Sequence, residues 1–189
     1  MATWERLAHA ELSSGAATID TGTFTAYENL MIQMKINAAN SIGTRLRVNN
    51  DSGTNYSMRT SSNGGSDGTS INESKFSIMD TSTSGQSEFY TIFVQNEVDK
   101  EKLFICEGTS NNGNGAGNAP RRRELAGKWA NTSSNITQVN VVDHYAGSNF
   151  AAGSYITVWG INPAPVTADV ITVDSLEAKK HLMVQGNLL

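Results

Sequence analysis

Short runs in which apolar and polar residues alternate follow one another along most of this 189-residue chain. In the run LMIQMKIN at 30–37, the four even-numbered positions are all apolar. The same period of two recurs at 45–49 and 75–79. This alternation is typical of a β-strand that buries one of its faces. Further strands are predicted at 5–12, 55–60, 87–95, 101–107, 121–129, 136–142 and 154–160.

One of these runs, SEFYTIFVQ at 87–95, is apolar on both faces. We expect it to lie centrally in a sheet or at an interface, because either position covers both faces of a strand. Residues 96–102 are predicted to form a short turn or helical link. The three tryptophans, Trp4, Trp129 and Trp159, are interpreted as core or sandwich-edge residues, and exposed carbohydrate-binding aromatics are the alternative.

The connections between the predicted strands are rich in turn-forming residues. Residues 49–53, with the sequence NNDSG, are predicted to join two strands as a hairpin loop. The longer connections at 61–72 and 108–120 are polar and dense in glycine, which is typical of loops that are flexible or ordered by a partner. About ten short strands without interleaved helices predict an all-β fold, either an antiparallel β-sandwich or a jelly-roll-like arrangement.

The C-terminal part of the chain repeats its beginning. Residues 171–185 (ITVDSLEAKKHLMVQ) align without a gap on residues 19–33 (IDTGTFTAYENLMIQ). We therefore predict a β-sandwich module at 1–162 and a C-terminal extension at 163–189 that echoes residues 19–33. The alternative is a chance similarity between two amphipathic strands.

The extension is predicted to begin with a stiff linker around Pro163 and Pro165. Two strands alone cannot bury their own apolar face in water. Leu182 and Val184 are therefore predicted to contact a sheet edge or a neighbouring protein, which favours a homo-oligomer.

Composition narrows the function classes. The net charge is −4 and the isoelectric point is about 5.3, which disfavours a general nucleic-acid binder. The N-terminal sequence MATWERLAHAEL is charged where a signal peptide needs an apolar run, and no stretch approaches a membrane span. We expect a protein made in a cytoplasm. Cys106, the single cysteine, is interpreted as a small buried hydrophobic residue rather than a nucleophile.

No combination of residues along the chain predicts catalysis, a cofactor or a metal. The histidines His9, His144 and His181 do not lie at metal-ligand spacings. Asp143 and His144 could form half of an acid–base pair, but no nucleophile turn accompanies them. Asp51 and Asp67 lie in loops that resemble calcium loops, although turn formation explains those sequences equally well. We expect a protein that is not an enzyme.

Arg121, Arg122 and Arg123 form the main charge cluster of the chain. On a strand, the first and third would share one face and the second would lie on the other. One hypothesis is that the cluster binds an anionic partner surface, because arginine makes bidentate bonds to carboxylates and phosphates. The alternative is that the cluster is solvated or pairs with Glu124 and other nearby acids.

Several segments, taken together in order over residues 4–161, resemble a family of structural proteins encoded by tailed phages, marine ones in particular. The segments are WERLAHAELSSGAATIDTGTF, LRVNNDSGTNYSMR, GGSDGTS, GNAPRRRELAGKWANTSSNITQVNV and FAAGSYITVWG. A module opening elsewhere in that family is similar to the C-terminal ITVDSLEAKKHLMVQ. The resemblance implies a virion component and no reaction.

The sequence therefore predicts a non-enzymatic phage virion structural protein with a β-sandwich module. Its expected place is the exterior of the capsid, as a decoration or knob protein, or a fibre. Its expected partners are phage capsid or tail proteins and further copies of itself. The alternative is a host-receptor or glycan-binding module of the tail. A third hypothesis is a glycan depolymerase, but the sequence offers no carboxylate pair that could be assigned to catalysis.

Overall fold

The computed structural model describes residues 3–162, and this part of the chain contains twelve β-strands and no helix. The strands are β1 (Glu5–Glu11), β2 (Thr18–Thr23), β3 (Asn29–Asn37), β4 (Thr44–Val48), β5 (Tyr56–Ser62), β6 (Gly68–Glu73), β7 (Phe76–Ser77), β8 (Ser87–Gln95), β9 (Lys102–Ser110), β10 (Arg121–Trp129), β11 (Gln138–Asp143) and β12 (Tyr155–Ile161). The C-terminal extension, with Leu182 and Val184, lies outside the described residues.

The strands form two antiparallel sheets. The large sheet has eight strands in the order β1-β12-β3-β8-β9-β10-β5-β6, and the small sheet has four in the order β2-β11-β4-β7. Apolar side chains that alternate along each strand face the space between the sheets, as on Leu30, Ile32 and Met34 of β3. The antiparallel β-sandwich predicted from the alternation is confirmed.

Aromatic rings fill the core between β5, β7 and β9. The rings of Tyr56 and Phe76 meet edge to face at 5.0 Å, and the ring of Phe104 lies 4.6 Å from that of Phe76. Trp129 is also buried, as its interpretation as a core residue predicted. Trp159 is half-buried and Trp4 is exposed. The buried aromatic rings are thus concentrated where β7 of the small sheet packs against β5 and β9 of the large sheet.

Strand β8 lies in the interior of the large sheet, between β3 and β9. The central position predicted for residues 87–95 is therefore confirmed. Residues 96–101 form the short turn that was expected to follow it. The inner face of β8 is buried in the core, but its outer face has no covering layer within the described residues.

Two expectations about connections were wrong. Residues 49–53 do not form a hairpin, because β4 belongs to the small sheet and β5 to the large one, so the loop carries the chain across the sandwich. The segment 61–72 is not wholly a loop, since its second half belongs to β6, which pairs with β5. The polar sequence GTSINE of β6 becomes a strand because it completes a hairpin at the edge of the sheet.

Candidate functional site

The outer face of the large sheet carries a row of apolar side chains that crosses five neighbouring strands. In register across β12, β3, β8, β9 and β10, this outer apolar row consists of Trp159, Met31, Phe93, Ile105 and Ala126. Cross-strand neighbours on one face lie about 4.5–5.5 Å apart, so the row is continuous. It lies on the face opposite the core.

The centre of this face is exposed. Phe93 and Ile105, directly opposite each other on β8 and β9, leave 50% and 62% of their surface in solvent. Leu103, two positions from Ile105 on the same face, is 51% exposed, and Phe89 lies further along β8. Contiguous apolar patches on soluble proteins mark contact sites, whereas single exposed apolar residues need no explanation.

An open groove adjoins the row between β6 and β9. Its two sides are formed by Ile71 on β6 and by Leu103 and Ile105 on β9. The strands between them, β5 and β10, present the small residues Ser57 and Ala126, which leave a depression between the larger side chains of β6 and β9. The groove has a volume of about 520 Å³. We call it the outer groove.

Charged side chains surround this apolar centre. Glu107 and Glu124 lie opposite each other on β9 and β10, and Glu124 approaches Arg122 to 3.6 Å. Lys128 forms an ion pair of 2.9 Å with Glu101. An apolar centre with a polar rim is the usual anatomy of a protein–protein interface.

The three arginines do not form one surface. They begin β10, and alternation places Arg121 and Arg123 on the inner face and Arg122 on the outer face, as the strand pattern predicted. Arg123 is only 6% exposed and donates a hydrogen bond of 2.6 Å to Ser62 Oγ. Arg121 donates a hydrogen bond of 2.6 Å to the carbonyl oxygen of Thr81. Binding of an anionic partner thus stays a prediction, and Arg122 is the arginine exposed enough to make it.

Asp51 is engaged in holding the crossover loop. Its carboxylate accepts hydrogen bonds from Trp129 Nε1 at 2.6 Å, Asn55 Nδ2 at 2.8 Å and the backbone N–H of Gly53 at 2.8 Å. Burial raises the pKa of Asp51, but these hydrogen bonds outweigh burial and hold the pKa below its usual value. Asp67 is exposed in the β5–β6 hairpin. Among residues 3–162, no three His, Cys, Asp or Glu side chains group as metal ligands.

The Asp143 carboxylate also accepts hydrogen bonds from the backbone. Its Oδ1 accepts hydrogen bonds of 3.0 Å from the backbone N–H groups of Gly43 and Tyr145. The ring of His144 packs against that of Tyr145, with centroids 5.0 Å apart. Both residues of the proposed acid–base half-pair therefore have structural contacts.

His9 is the other histidine within the part of the chain that the structure describes. His9 contacts Thr157 Oγ1 at 2.8 Å, and His181 lies outside the described residues.

A buried carboxylate joins the two sheets. Glu88 is buried, and its Oε2 accepts hydrogen bonds from Thr44 Oγ1 at 2.6 Å and from the Tyr90 hydroxyl at 2.7 Å. Burial, followed by the adjacent Glu88 carboxylate, raises the pKa of Tyr90 well above its ordinary value. Sequence reasoning did not single out Glu88, although its phase with Tyr90 and Ile92 on β8 places it on the inner face.

Cys106 is buried as expected, and burial raises the pKa of its thiol to about 12.

Comparisons with known proteins leave the family open. No protein-family model matches the chain, and no curated protein matches it. Among solved structures, the chain is similar to β-agarase A from Zobellia galactanivorans, at 8% sequence identity and a TM-score of 0.26. That match covers 83% of this chain and 74% of the agarase chain, and at this TM-score it supports no conclusion. No helix within residues 3–162 has the length and hydropathy of a membrane span.

Proposed function

We propose that this chain is a non-enzymatic structural component of a phage virion, bound to the exterior of the capsid as a decoration protein or incorporated in a fibre. The virion context comes from the resemblance of residues 4–161 to tailed-phage structural proteins. The protein is made in the host cytoplasm and acts through protein–protein contacts. Its partners are capsid or tail proteins and further copies of itself.

The exposed outer apolar row is the observation that supports a contact function. Phe93, Leu103 and Ile105 each leave about half or more of their surface in water on a regular sheet face. Burying such side chains against a partner contributes about 25 cal/mol per Å² of apolar surface. The row is rimmed by charged side chains, which can align a partner.

Protein is favoured over glycan as the partner of this face. Aliphatic side chains, Leu103, Ile105 and Ile71, make up much of the exposed apolar surface beside Phe89 and Phe93. Aliphatic side chains pack well against other apolar side chains but offer no flat ring for a sugar to stack on. A tail-associated receptor or glycan-binding module therefore remains the second candidate and becomes an outcome of the test.

The test locates the chain in purified phage particles that encode it. Quantitative mass spectrometry gives its copy number relative to the major capsid protein, and antibody labelling in the electron microscope gives its position. We expect many copies on the capsid exterior or along a fibre. A few copies at the tail tip, together with binding of the isolated protein to host cells or glycans, would support the receptor function instead. Absence from purified particles overturns the proposal.

A variant pair connects the location to the outer apolar row. Ile105→Asp places a charge at the centre of the row, and we expect loss of the protein from the particle. Thr109→Asp introduces the same charge on the same face of β9, away from the centre, and serves as the matched control. Both positions are exposed, so circular dichroism and melting temperature should stay unchanged. Equal incorporation of both variants contradicts a role for the row.

A further inference from the structure

The outer groove has the shape of a docking site for an extended apolar segment. Small side chains on β5 and β10 form its floor, and exposed aliphatic side chains on β6 and β9 form its sides. Its volume of about 520 Å³ lies within the usual range of binding pockets, about 300–1,000 Å³. Two side chains on its sides are largely exposed, Ile71 at 65% and Ile105 at 62%.

The chain leaves the sandwich at the level of this groove. Ile161, the last residue of β12, is in register with Asn29, then with Gln95, then with Leu103 on the side of the groove. Three strand spacings of about 4.8 Å separate β12 from β9, roughly 14 Å in all. Residues 163–170 can span up to about 26–29 Å when extended. The linker before residue 171 is therefore long enough to bridge to the groove of a second copy that lies within this distance of β12.

The segment 171–185 complements the groove in chemistry. It carries Leu182 and Val184 among its alternating apolar residues, which suit the aliphatic sides of the groove. The segment carries two acids, Asp174 and Glu177, and two lysines, Lys179 and Lys180, so apolar contact and not net charge is the basis of the match.

We propose that residues 171–185 of one copy of this chain bind in the outer groove of a second copy. The inference rests on the proposed assembly function and names the partner of its surface. The Asn-Pro-Ala-Pro sequence that follows β12 is the predicted stiff linker, and a stiff spacer favours contact with a second copy over a return across the same sheet. Because segment and groove are different surfaces, the contact is head-to-tail and joins copies in series.

Two full-length variants test the inference by complementation. Ala126→Trp fills the floor of the groove at an exposed position, and Leu182→Asp combined with Val184→Asp places charges in the segment. By analytical ultracentrifugation over a concentration series, the unmodified chain should form oligomers. Each variant alone should associate at least about tenfold more weakly than the unmodified chain, because it lacks one of the two surfaces.

An equimolar mixture of the two variants should restore association and stop at a 1:1 dimer. The tail variant retains an intact groove, and Ala126→Trp retains an intact segment, so one productive contact remains. Thr109→Trp, which adds the same side chain elsewhere on the outer face, should associate like the unmodified chain. The inference is overturned if the mixture stays monomeric, if either variant associates normally, or if the unmodified chain is monomeric throughout. Particle incorporation is measured separately, so a chain found on the particle without this exchange keeps the proposed function and loses only the inference.

Discussion

The indole N–H of Trp129 donates a hydrogen bond of 2.6 Å to the carboxylate of Asp51. Trp129 ends β10 in the large sheet, and Asp51 lies in the loop that brings the chain over from β4 in the small sheet. The same carboxylate binds two further N–H groups within its own loop. This one carboxylate therefore fixes both the shape of the crossover and its position against the core.

Asp51→Ala should lower the free energy of unfolding by about 1.5–3 kcal/mol, because the variant loses hydrogen bonds to a charged group and leaves the Trp129 N–H without its partner. Chemical denaturation monitored by tryptophan fluorescence measures this change. Asp67→Ala, at an exposed hairpin position, is the matched control and should change stability by less than about 0.5 kcal/mol. Equal stability of both variants would show that the crossover is held by other contacts.

The same residue predicts a dependence on pH. The pKa of Asp51 is lower in the folded protein than the value of about 3.9 for an unfolded chain. The folded state thus binds fewer protons around pH 4, and the contribution of Asp51 to stability is complete above that value. It is lost as the pH falls through the lower, folded pKa. Denaturation curves from pH 6 to pH 2 should fall less steeply for Asp51→Asn than for the unmodified chain.

Gly108 allows β9 to pass over the ring of Tyr90. A Cβ atom at position 108 would lie 2.1 Å from Tyr90 Cδ1, so Gly108→Ala requires a shift of the ring or the strand. We expect a loss of about 1–3 kcal/mol in stability from this overpacking. Gly117→Ala is the control, since nothing lies within 4 Å of a Cβ at that position. A melting temperature that stays constant in Gly108→Ala would contradict the close approach.

Replacement by serine should lower stability at Arg123 and leave it nearly unchanged at Arg122. Arg123→Ser removes a buried guanidinium that bonds Ser62 and approaches Asp80 to 3.6 Å, so stability should fall by about 1–3 kcal/mol. Arg122→Ser removes an exposed side chain and should change stability by less than about 1 kcal/mol. If Arg122 meets an anionic surface, its loss should weaken attachment to the particle and reduce the salt dependence of attachment. Attachment of Arg122→Ser that is unchanged across a salt series leaves the arginine paired with Glu124 alone.

Cys106 should be unreactive while the protein is folded. Burial raises its pKa to about 12, so at pH 8 its thiolate is on the order of a thousandfold rarer than that of an ordinary thiol, and its side chain is covered. Labelling with a chromogenic disulfide reagent should be slow in buffer and fast in denaturant. Labelling in buffer at the rate of a free thiol would show that β9 opens readily.

The sequence by itself determined the strands whose pattern is local. Alternation predicted which face of each strand would carry apolar residues, and the run at 87–95 showed that β8 is apolar on both faces. The opposite directions of Arg122 and Arg123 also follow from the period of two. These features depend on the geometry of an extended chain alone, so no partner strand is needed to infer them.

The pairing of strands in the folded protein decided the rest. Turn-forming residues such as those at 49–53 suit a hairpin or a crossover equally, and only the assignment of β4 and β5 to different sheets distinguishes them. Residues 68–73 form a strand because β5 lies beside them. The outer apolar row joins side chains from five strands, of which β3 and β12 are far in sequence from β8, β9 and β10. Register between such strands is a property of the whole sandwich, because one buried face must match every neighbour at once.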